Sequence, residues 1–370
     1  MTLSNNSGRH GSSKGRIVAV ILACTLIFIS GVVGFRNRNL FDGIVDRVSS
    51  WGDASYELTK LDSSGLYQMN YNQDYYLDDY LQSGSSSDSE FLSYLQNKFL
   101  DGRVINLDGM QTGCTSFVVQ NASGHLIYGR NLDLQQRLSS VQVFTHPDDG
   151  YASVSTALLN VPGSASTSGS RRMLAKVSPY LPLDGMNEKG VAVSVLYVPQ
   201  WGAPHDDGKI SVGTLPLTRV ILDRAKNIDE AIGIMRSYNV YPTGGVRQHY
   251  FIADSSGESA IVEFYDGDVK VIYSDKSYQV ASNFIAYEGL NIGSDNSDFE
   301  FDRYRSVNNE IEKNNGTLSS GQAVSLLARV GIKKNNIDEL QWSVVYDLTE
   351  KKGKIFAHRN TSNVIDFELN

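Results

Sequence analysis

The chain has 370 residues, 41% of them hydrophobic, which is enough for one large domain with additions or for two domains with a sizeable core. The formal net charge is -8 and no basic block is interleaved with aromatic residues, which argues against a nucleic-acid partner. Only two cysteines occur, Cys24 and Cys114, so zinc and redox motifs built on paired cysteines are excluded.

The N-terminal residues combine a polar tail with an apolar run. Residues 1–15 are rich in Ser, Gly and Asn, which predicts a disordered cytoplasmic tail. The run from Ile17 to Phe35 carries no charge, and at about 1.5 Å of rise per residue its helix just spans a bilayer. Arg36 and Arg38 follow without a small-x-small site, which favours an uncleaved signal-anchor over 16–35 rather than a cleaved signal peptide. We therefore predict a single-pass protein of the cell membrane whose main domain is extracytoplasmic.

Residues 36–113 form a separate segment that is heavy in Tyr, Asp and Ser. The spacing of apolar residues from Glu90 to Leu100 predicts a helix. A linker, a pro-segment and a cover packed on the main domain all remain open for this segment. The helix and the aromatic residues favour one that packs.

From Cys114 to the C-terminus at 370, short strand patterns are separated by Gly, Asn and Asp turns. The predicted elements, in chain order, are a hairpin over Thr115–Asp133, strands at Tyr151–Leu159 and Gly190–Val198, two helices within Leu217–Asn239, strands within His249–Asp275, helices at Asp302–Lys313 and Ser319–Val330, and strands at Trp342–Tyr346 and Lys354–His358. Runs of strands with helices segregated between them predict an α+β fold with packed layers over 114–370. We expect His249, a strand residue, to be structural.

Cys114 begins the hairpin directly after Gly113, and the returning strand brings Arg130 and Asp133 beside it. A lone cysteine is usually a small buried apolar residue, which is the simplest alternative to a functional role. A guanidinium beside a thiol, however, favours the thiolate, and a carboxylate can accept a hydrogen bond from an ammonium or a thiol. If Cys114 were an N-terminus, its α-amine, with an unperturbed pKa near ~8, would be a general base on the nucleophile's own residue.

The stretch CTSFVVQNASGHLIYGRNLD from Cys114 resembles the start of the mature chain in the choloylglycine hydrolase and penicillin V acylase family. It is also similar to the corresponding stretch of acid ceramidase. Three further blocks follow in the family's order, at Leu183–Val191, Val280–Phe284 and Arg303-Tyr304. The resemblance covers the chain from Cys114 onward. It implies an N-terminal-nucleophile hydrolase with an αββα four-layer sandwich, here preceded by one transmembrane helix.

The resemblance also implies roles for individual residues around the nucleophile. Cys114 would supply both the thiolate and the α-amine base, and Arg130 and Asp133 would hold and tune that pair. No metal-binding cluster appears in the sequence and no cofactor is implied, so none is expected here.

A second set of residues is implied to surround the reacting carbonyl. The side-chain amide of Asn283 and the backbone N–H of Tyr197 would stabilise the oxyanion. Arg303 would complete the electrostatic surround, with Arg305 as the alternative because the Arg-Tyr-Arg sequence leaves the register open. Asn187 would fix a turn beside the site.

Two departures from the family pattern bear on substrate and activation. Bile-salt hydrolases tend to carry Asn at the position of Tyr197 and penicillin V acylases Tyr, so this residue points away from bile salts. More than a hundred residues precede Cys114, so the bond after Gly113 must be cut, as in acid ceramidase. Attack of Cys114 on the Gly113 carbonyl would do this.

The sequence thus predicts a hydrolase of linear amide bonds in a small N-acyl substrate, working through an acyl-enzyme on Cys114. An acyltransferase using the same site is one alternative. The other is an envelope-tethered binding protein that keeps the fold and is never cut. The membrane is the expected partner of the N-terminal helix, and the sequence is compatible with a homo-oligomer.

Overall fold

The computed structural model describes residues 57–103, 105, 112–160, 166–287, 299–334 and 337–369. These residues belong to one structural unit, which begins at Gly52. The predicted tail over 1–15 and the predicted membrane helix over 16–35 lie outside the described residues. Within the described ranges, no helix is both long enough and apolar enough to cross a membrane.

Strands dominate the described part of the chain. In chain order they are β1 (Thr59–Lys60), β2 (Leu66–Tyr71), β3 (Thr112–Gln120), β4 (Leu126–Leu134), β5 (Ser140–Thr145), β6 (Ser153–Leu158), β7 (Asp184–Asn187), β8 (Ala192–Tyr197), β9 (Ser211–Gly213), β10 (Asn239–Tyr241), β11 (Gln248–Ala253), β12 (Ser259–Tyr265), β13 (Asp268–Tyr273), β14 (Gln279–Ala281), β15 (Lys333–Lys334), β16 (Ile337–Asp338), β17 (Leu340–Asp347), β18 (Lys352–Ala357) and β19 (Ile365–Glu368). The α-helices are α1 (Leu77–Ser83), α2 (Asp88–Phe99), α3 (Ser168–Val177), α4 (Thr214–Arg224), α5 (Ile228–Arg236), α6 (Phe299–Lys313) and α7 (Ser320–Val330).

Two large sheets hold most of these strands. The first has nine strands in the order β1-β2-β5-β6-β7-β8-β11-β12-β13, and the second has six in the order β14-β3-β4-β17-β18-β19. The pairing of β2 with β5 is parallel, whereas β3 with β4, β8 with β11 and β11 with β12 are antiparallel. The predicted opening hairpin is therefore confirmed as β3 and β4.

The two sheets face each other and carry helices on their outer sides. β3 contacts β8, and β12 contacts β14, across the space between the sheets. α4 packs on β7 and β8, while α6 and α7 pack on strands of the six-stranded sheet. Because the inner strands of each sheet are covered on both faces, they are almost entirely buried, as β4, β5 and β6 are. The layers are helix, sheet, sheet, helix, which confirms the predicted α+β four-layer arrangement.

The outer helices form where their sequences combine a cap with an amphipathic spacing. α7 begins after Ser319, whose hydroxyl accepts from the Gln322 N–H while the Gln322 side chain returns to the Ser319 N–H, a capping box. Its buried positions Ala323, Leu327 and Val330 recur at helical intervals. The predicted helices over 217–239, 302–313 and 319–330 are confirmed as α4 with α5, α6 and α7.

The described residues 57–103, which precede Cys114 in the chain, form the front segment. Its strand β2 lies beside β5 inside the nine-stranded sheet, a strand that the sequence did not predict. Its helix α2 confirms the helix predicted at Glu90–Leu100. Tyr80 and Phe91 of the front segment pack their rings within 5.8 Å of each other, and Tyr80 packs on Tyr180 of the main domain at 5.4 Å. The front segment is thus part of the sandwich rather than a spacer.

Candidate active site

The β3–β4 hairpin places its functional residues on both faces of the six-stranded sheet. Side chains alternate along a strand, so Cys114 and Arg130 point into the space between the sheets, whereas Asp133, three residues after Arg130, points to the helix side. Cys114 pairs with Leu132, and Gly113 with Asp133. Arg130 therefore lies on one face of the hairpin and Asp133 on the other, and the Gly113–Cys114 bond lies between them.

Cys114 is fully buried and contacts one cation and one carbonyl. Its Sγ lies 3.5 Å from Nη2 of Arg130, and its S–H donates to the Val195 carbonyl oxygen at 3.8 Å. The same Nη2 donates to Val195 O at 3.1 Å. The predicted proximity of Arg130 to the thiol is therefore seen in the structure, and β8 of the opposite sheet completes the contact.

Arg130 is held by a carboxylate to which the sequence assigned no role. Its Nε lies 3.1 Å from Oδ2 of Asp184, and neither side chain is exposed. Asp184 also accepts from Trp342 Nε1 at 2.9 Å and from the Tyr346 hydroxyl at 2.8 Å. Burial raises the pKa of Asp184, and the Arg130 charge opposes that rise. Burial lowers the pKa of Arg130, but the neighbouring Cys114 and Asp184 outweigh it and raise the pKa overall.

Asp133 and Arg303 form a second buried pair behind the hairpin. Arg303 Nη2 donates to Asp133 Oδ2 at 2.8 Å, and the Ile332 N–H donates to Asp133 Oδ1 at 2.7 Å. Burial raises the pKa of Asp133, while the Arg303 charge and the Ile332 N–H pull it back. The Asp133 side chain faces α6 rather than the space between the sheets, so it does not contact the Cys114 thiol, and its predicted contact with a freed α-amine stays a prediction.

Arg303 rather than Arg305 lies in the site. Arg303 is buried at 3% exposure and also donates from Nε to the Val330 carbonyl at 3.1 Å, whereas Arg305 is 42% exposed and pairs with Asp302. A Cβ built on Gly113 would lie 3.3 Å from Arg303 Nη1 and 2.3 Å from Ile332 Cδ1. The Arg303 guanidinium thus lies next to Gly113, the residue before Cys114.

Asn283 binds the backbone nitrogen of Cys114. Its Oδ1 accepts from the Cys114 N–H at 2.5 Å, and its Nδ2 donates to the Tyr197 carbonyl at 2.8 Å. An amide NH2 carries two hydrogens, so one N–H of Asn283 remains for a further acceptor. Ser282 reinforces the position by donating its hydroxyl to the Cys114 carbonyl at 3.1 Å.

Tyr197 ends β8 on the side of the site. Tyr197 pairs with Gln248 of β11, while the next residue, Val198, donates its N–H to the Arg247 carbonyl. Hydrogen-bonded and non-hydrogen-bonded pairs alternate in an antiparallel ladder, so Tyr197 forms a non-hydrogen-bonded pair. Its N–H and C=O therefore point away from β11, toward the side where Asn283 binds the carbonyl.

Asn187 fixes a turn, as predicted, but the turn is not beside the site. Its Oδ1 accepts from the N–H groups of Lys189 and Val191, and its Nδ2 donates to the Leu222 and Ala225 carbonyls. This turn joins β7 to the start of β8, whereas Tyr197 lies at the other end of β8. The turn lies far from the site because β8 runs away from Asn187 and approaches Cys114 only near its C-terminal end.

The sequence analysis missed Asp184 although it quoted the block that contains it. The signal was an acidic residue at the start of a buried strand, which requires a partner. That partner, Arg130, lies on the other sheet, so spacing along the chain gave no indication of it. Among the described residues, no group of three or more His, Cys, Asp or Glu side chains is placed to hold a metal ion.

Comparison with solved structures identifies the fold class. The penicillin V acylase of Agrobacterium tumefaciens superposes with a TM-score of 0.51 at 20% identity, over 69% of this chain and 86% of that one. A variant of the conjugated bile acid hydrolase of Clostridium perfringens superposes with a TM-score of 0.50 at 14% identity, over 70% of this chain and 92% of that one. The likeness shows the N-terminal-nucleophile hydrolase fold.

Sequence comparison gives the family. The profile of the linear amide C–N hydrolases, choloylglycine hydrolase family, matches residues 114–318, which is more than half of the chain. The chain therefore belongs to the choloylglycine hydrolase family of linear amide C–N hydrolases. Penicillin V acylase of Pectobacterium atrosepticum is 32% identical over 111 residues, which are 27% of this chain. This alignment spans 29% of that acylase's length.

Proposed function

We propose that this protein hydrolyses the amide bond of a small N-acyl compound through an acyl-enzyme on Cys114, after its own cleavage between Gly113 and Cys114. The proposal rests on two contacts of Cys114. The Cys114 thiol lies against Arg130 while its backbone N–H is bound by Asn283. A buried structural cysteine requires neither contact.

Self-cleavage uses the groups already gathered at the Gly113–Cys114 bond. The Cys114 sulfur attacks the Gly113 carbonyl, and the bond from that carbonyl to the Cys114 nitrogen breaks. The thiol proton ends on the departing nitrogen, and a thioester joins Gly113 to Cys114. Water then hydrolyses the thioester, which leaves a Gly113 carboxylate and a free Cys114 amine. Arg303, close to Gly113, stabilises negative charge that develops on this side.

Amide hydrolysis then follows with the freed amine as the base. The amine takes the thiol proton, and the thiolate attacks the substrate carbonyl. The second N–H of Asn283 and the backbone N–H of Tyr197 bind the oxyanion, a type of interaction that commonly contributes about 3–4 kcal/mol. The protonated amine gives its proton to the leaving amine of the substrate, and water releases the acid from Cys114.

The substrate class we propose is an N-acyl amide of the kind that penicillin V acylases and conjugated bile acid hydrolases take, as their names indicate. Tyr197 favours a penicillin V-like acylamide over a conjugated bile acid. We further propose that the apolar run over 16–35 anchors the protein in the cell membrane, with the catalytic domain extracytoplasmic. Acyl transfer to an amine from the same acyl-enzyme is the second candidate reaction.

The test combines intact mass with a substrate panel. The purified wild type is expected to contain a chain beginning at Cys114, and Cys114→Ala is expected to stay uncut. Penicillin V, N-acyl amino acids, acyl-homoserine lactones and conjugated bile acids are then incubated with the processed enzyme, and the released acid and amine are quantified. New amides formed when a second amine is added would identify the acyltransferase.

A non-catalytic binding protein gives a different result. Wild type and Cys114→Ala would then have the same uncut mass, and neither would hydrolyse any member of the panel. That outcome contradicts the proposal, because both the processing and the hydrolysis depend on the same sulfur.

A further inference from the structure

A buried histidine–carboxylate pair lies in the nine-stranded sheet outside the residues discussed so far. His249 of β11 and Glu263 of β12 are cross-strand neighbours, one position beyond the Tyr250–Val262 pair. Nδ1 of His249 lies 2.9 Å from Oε1 of Glu263, and each side chain is 1% exposed. Nε2 of His249 has no hydrogen-bond partner among the described residues. The sequence predicts a structural role for His249, and in the structure this residue contacts Glu263.

Glu263 binds the backbone that follows Asn283. Its Oε1 accepts from the Ala286 N–H at 2.7 Å and its Oε2 from the Tyr287 N–H at 2.9 Å. These donors lie three and four residues after Asn283. With His249, three donors converge on one buried carboxylate, and an unpaired buried charge would be strongly unfavourable. The carboxylate therefore fixes the chain that carries the Asn283 amide.

His249 reaches the site from the other side as well. It pairs with Leu196 of β8. Leu196 lies between Val195, whose carbonyl contacts Cys114 and Arg130, and Tyr197, whose carbonyl binds Asn283. The His249–Glu263 pair thus connects the strand under the nucleophile to the loop that binds the nucleophile's nitrogen.

We propose that the His249–Glu263 pair positions Asn283 against Cys114, so that Glu263 and His249 are positioning residues for both self-cleavage and amide hydrolysis. The inference rests on the proposed function of that site. Neither residue touches the reacting atoms. Each acts by fixing the loop over 283–287.

The loop has a second anchor, which makes the role of Glu263 distinct. The Phe284 ring stacks on Phe301 with a centroid distance of 4.8 Å and meets Tyr304 edge-on at 5.3 Å. Phe301 and Tyr304 belong to α6, the helix that carries Arg303. Without Glu263 we expect the loop to keep its apolar anchor, while the distance from Asn283 to Cys114 is fixed less tightly by the remaining bonds of Asn283 and Ser282. A misplacement of about 1 Å can cost on the order of a hundredfold in rate.

The experiment compares Glu263→Gln with a control that the chain itself provides. Asp347 also binds a histidine, His125, at 3.2 Å, and accepts from two successive backbone N–H groups, those of Thr349 and Glu350. It lies at the end of β17 opposite the site. Full-length wild type, Glu263→Gln and Asp347→Asn are assayed for cleavage after Gly113, for kcat and KM on the best amide of the panel, and for amide hydrogen exchange.

In Glu263→Gln we expect cleavage and kcat to fall by about 10- to 100-fold with KM within threefold, since a positioned donor acts in the transition state. The N–H groups of Ala286 and Tyr287 are expected to exchange faster. Asp347→Asn is expected to keep wild-type kcat and wild-type exchange in this loop. His249→Asn, which retains a donor near the Nδ1 position, is expected to stay within threefold of wild type, whereas His249→Leu falls with Glu263→Gln.

Two results would overturn the inference. One is Glu263→Gln with wild-type kcat and wild-type exchange over 283–287. The other is an equal loss of kcat in Asp347→Asn, which would identify a general effect on stability. If the wild type hydrolyses no amide, the proposed function fails, and the exchange of the two N–H groups alone still decides whether Glu263 fixes the loop.

Discussion

At the scale of single residues, the site depends on how Arg130 is shared between two buried partners, the Cys114 thiol and the Asp184 carboxylate. Arg130 Nη2 faces the Cys114 sulfur, while Nε faces Asp184. The guanidinium is planar, so it cannot rotate without losing its contact with Cys114 or its contact with Asp184. The contact with Asp184 therefore fixes its orientation. Asp184 therefore helps to hold Arg130 against the Cys114 thiol.

Replacing Asp184 tests whether its contact with Arg130 fixes the orientation of the guanidinium. Asp184→Asn is expected to lower kcat by at least tenfold in folded protein and to lower the free energy of unfolding by roughly 3–5 kcal/mol, as breaking a buried pair does. Asp223→Asn is the matched control, because Asp223 is also buried, pairs with Arg219 at 2.7 Å and accepts from Tyr75 at 2.6 Å. It should lose similar stability and keep its kcat. Steady-state kinetics below the unfolding transition and urea unfolding measure the two effects.

A substitution at Gly113 tests how closely the chain before Cys114 is packed. A Cβ there would lie 2.3 Å from Ile332 Cδ1, an atom at the end of a side chain. Gly113→Ala is expected to slow cleavage about tenfold or more, because the scissile carbonyl must shift. Adding Ile332→Val, which deletes Cδ1, should restore most of the rate. Intact-mass time courses measure cleavage, and equal rates in Gly113→Ala and wild type would contradict the close packing.

Glu263 gives a pH prediction. Burial raises its pKa, but the hydrogen bond and charge of His249 and the Ala286 and Tyr287 N–H groups lower it below the ordinary value of 4.5. A depressed carboxyl pKa contributes stability above the unfolded-state pKa that is lost as the pH falls through the folded-state pKa. The difference in unfolding free energy between wild type and Glu263→Gln should therefore be constant above about pH 5 and shrink below about pH 4.5. Urea unfolding across this range measures it, and a difference independent of pH would contradict an ionised Glu263 carboxylate.

At the scale of elements, the hairpin and the outer helices could be predicted from the sequence, because each follows a local pattern. The strands β3 and β4 flank an Asn-Ala-Ser-Gly turn, and α6 and α7 show helical spacing with a cap before α7. The period of two in a strand also required Arg130 and Asp133 to lie on opposite faces. The hairpin alone predicts both side chains beside the thiol, whereas Asp133 faces the helix side.

The elements that escaped prediction depend on contacts between distant parts of the chain. β2 carries polar residues such as Gln68 and Asn70 and is a strand because β5 lies beside it. The contact of Arg130 with Asp184 joins the two sheets, and neither residue's neighbours indicate it. Cys114 and Asn283 are in contact and Arg303 lies beside Gly113, a proximity that local patterns cannot show and that only the order of the family blocks indicated.

At the scale of the whole molecule, the front segment and the main domain share one core. The Tyr75 hydroxyl donates to Asp223, and the Tyr180 hydroxyl donates to the Tyr75 carbonyl at 2.8 Å. The parallel ladder of β2 and β5 adds backbone hydrogen bonds to these contacts. Cleavage after Gly113 would cut the chain without removing any of these contacts.

We therefore expect the two products of cleavage to remain together. They should separate on a denaturing gel and elute as one species in size-exclusion chromatography under native conditions. Tyr75→Phe leaves the Asp223 carboxylate without its hydroxyl partner, so about 1–3 kcal/mol of stability should be lost. The urea concentration that separates the products should fall accordingly. Elution of the product that begins at Cys114 as a separate native species would contradict the shared core.

The position of β2 also affects how readily the protein aggregates. The outermost strand on that side, β1, is only two residues long and includes Lys60, a combination that discourages sheets of different molecules from joining. Were the front segment lost, β5, with its Val-Gln-Val-Phe sequence, would become a longer apolar border with unpaired backbone groups. A protein stripped of its front segment would then tend to precipitate by edge-to-edge pairing rather than persist as a freed, diffusing enzyme.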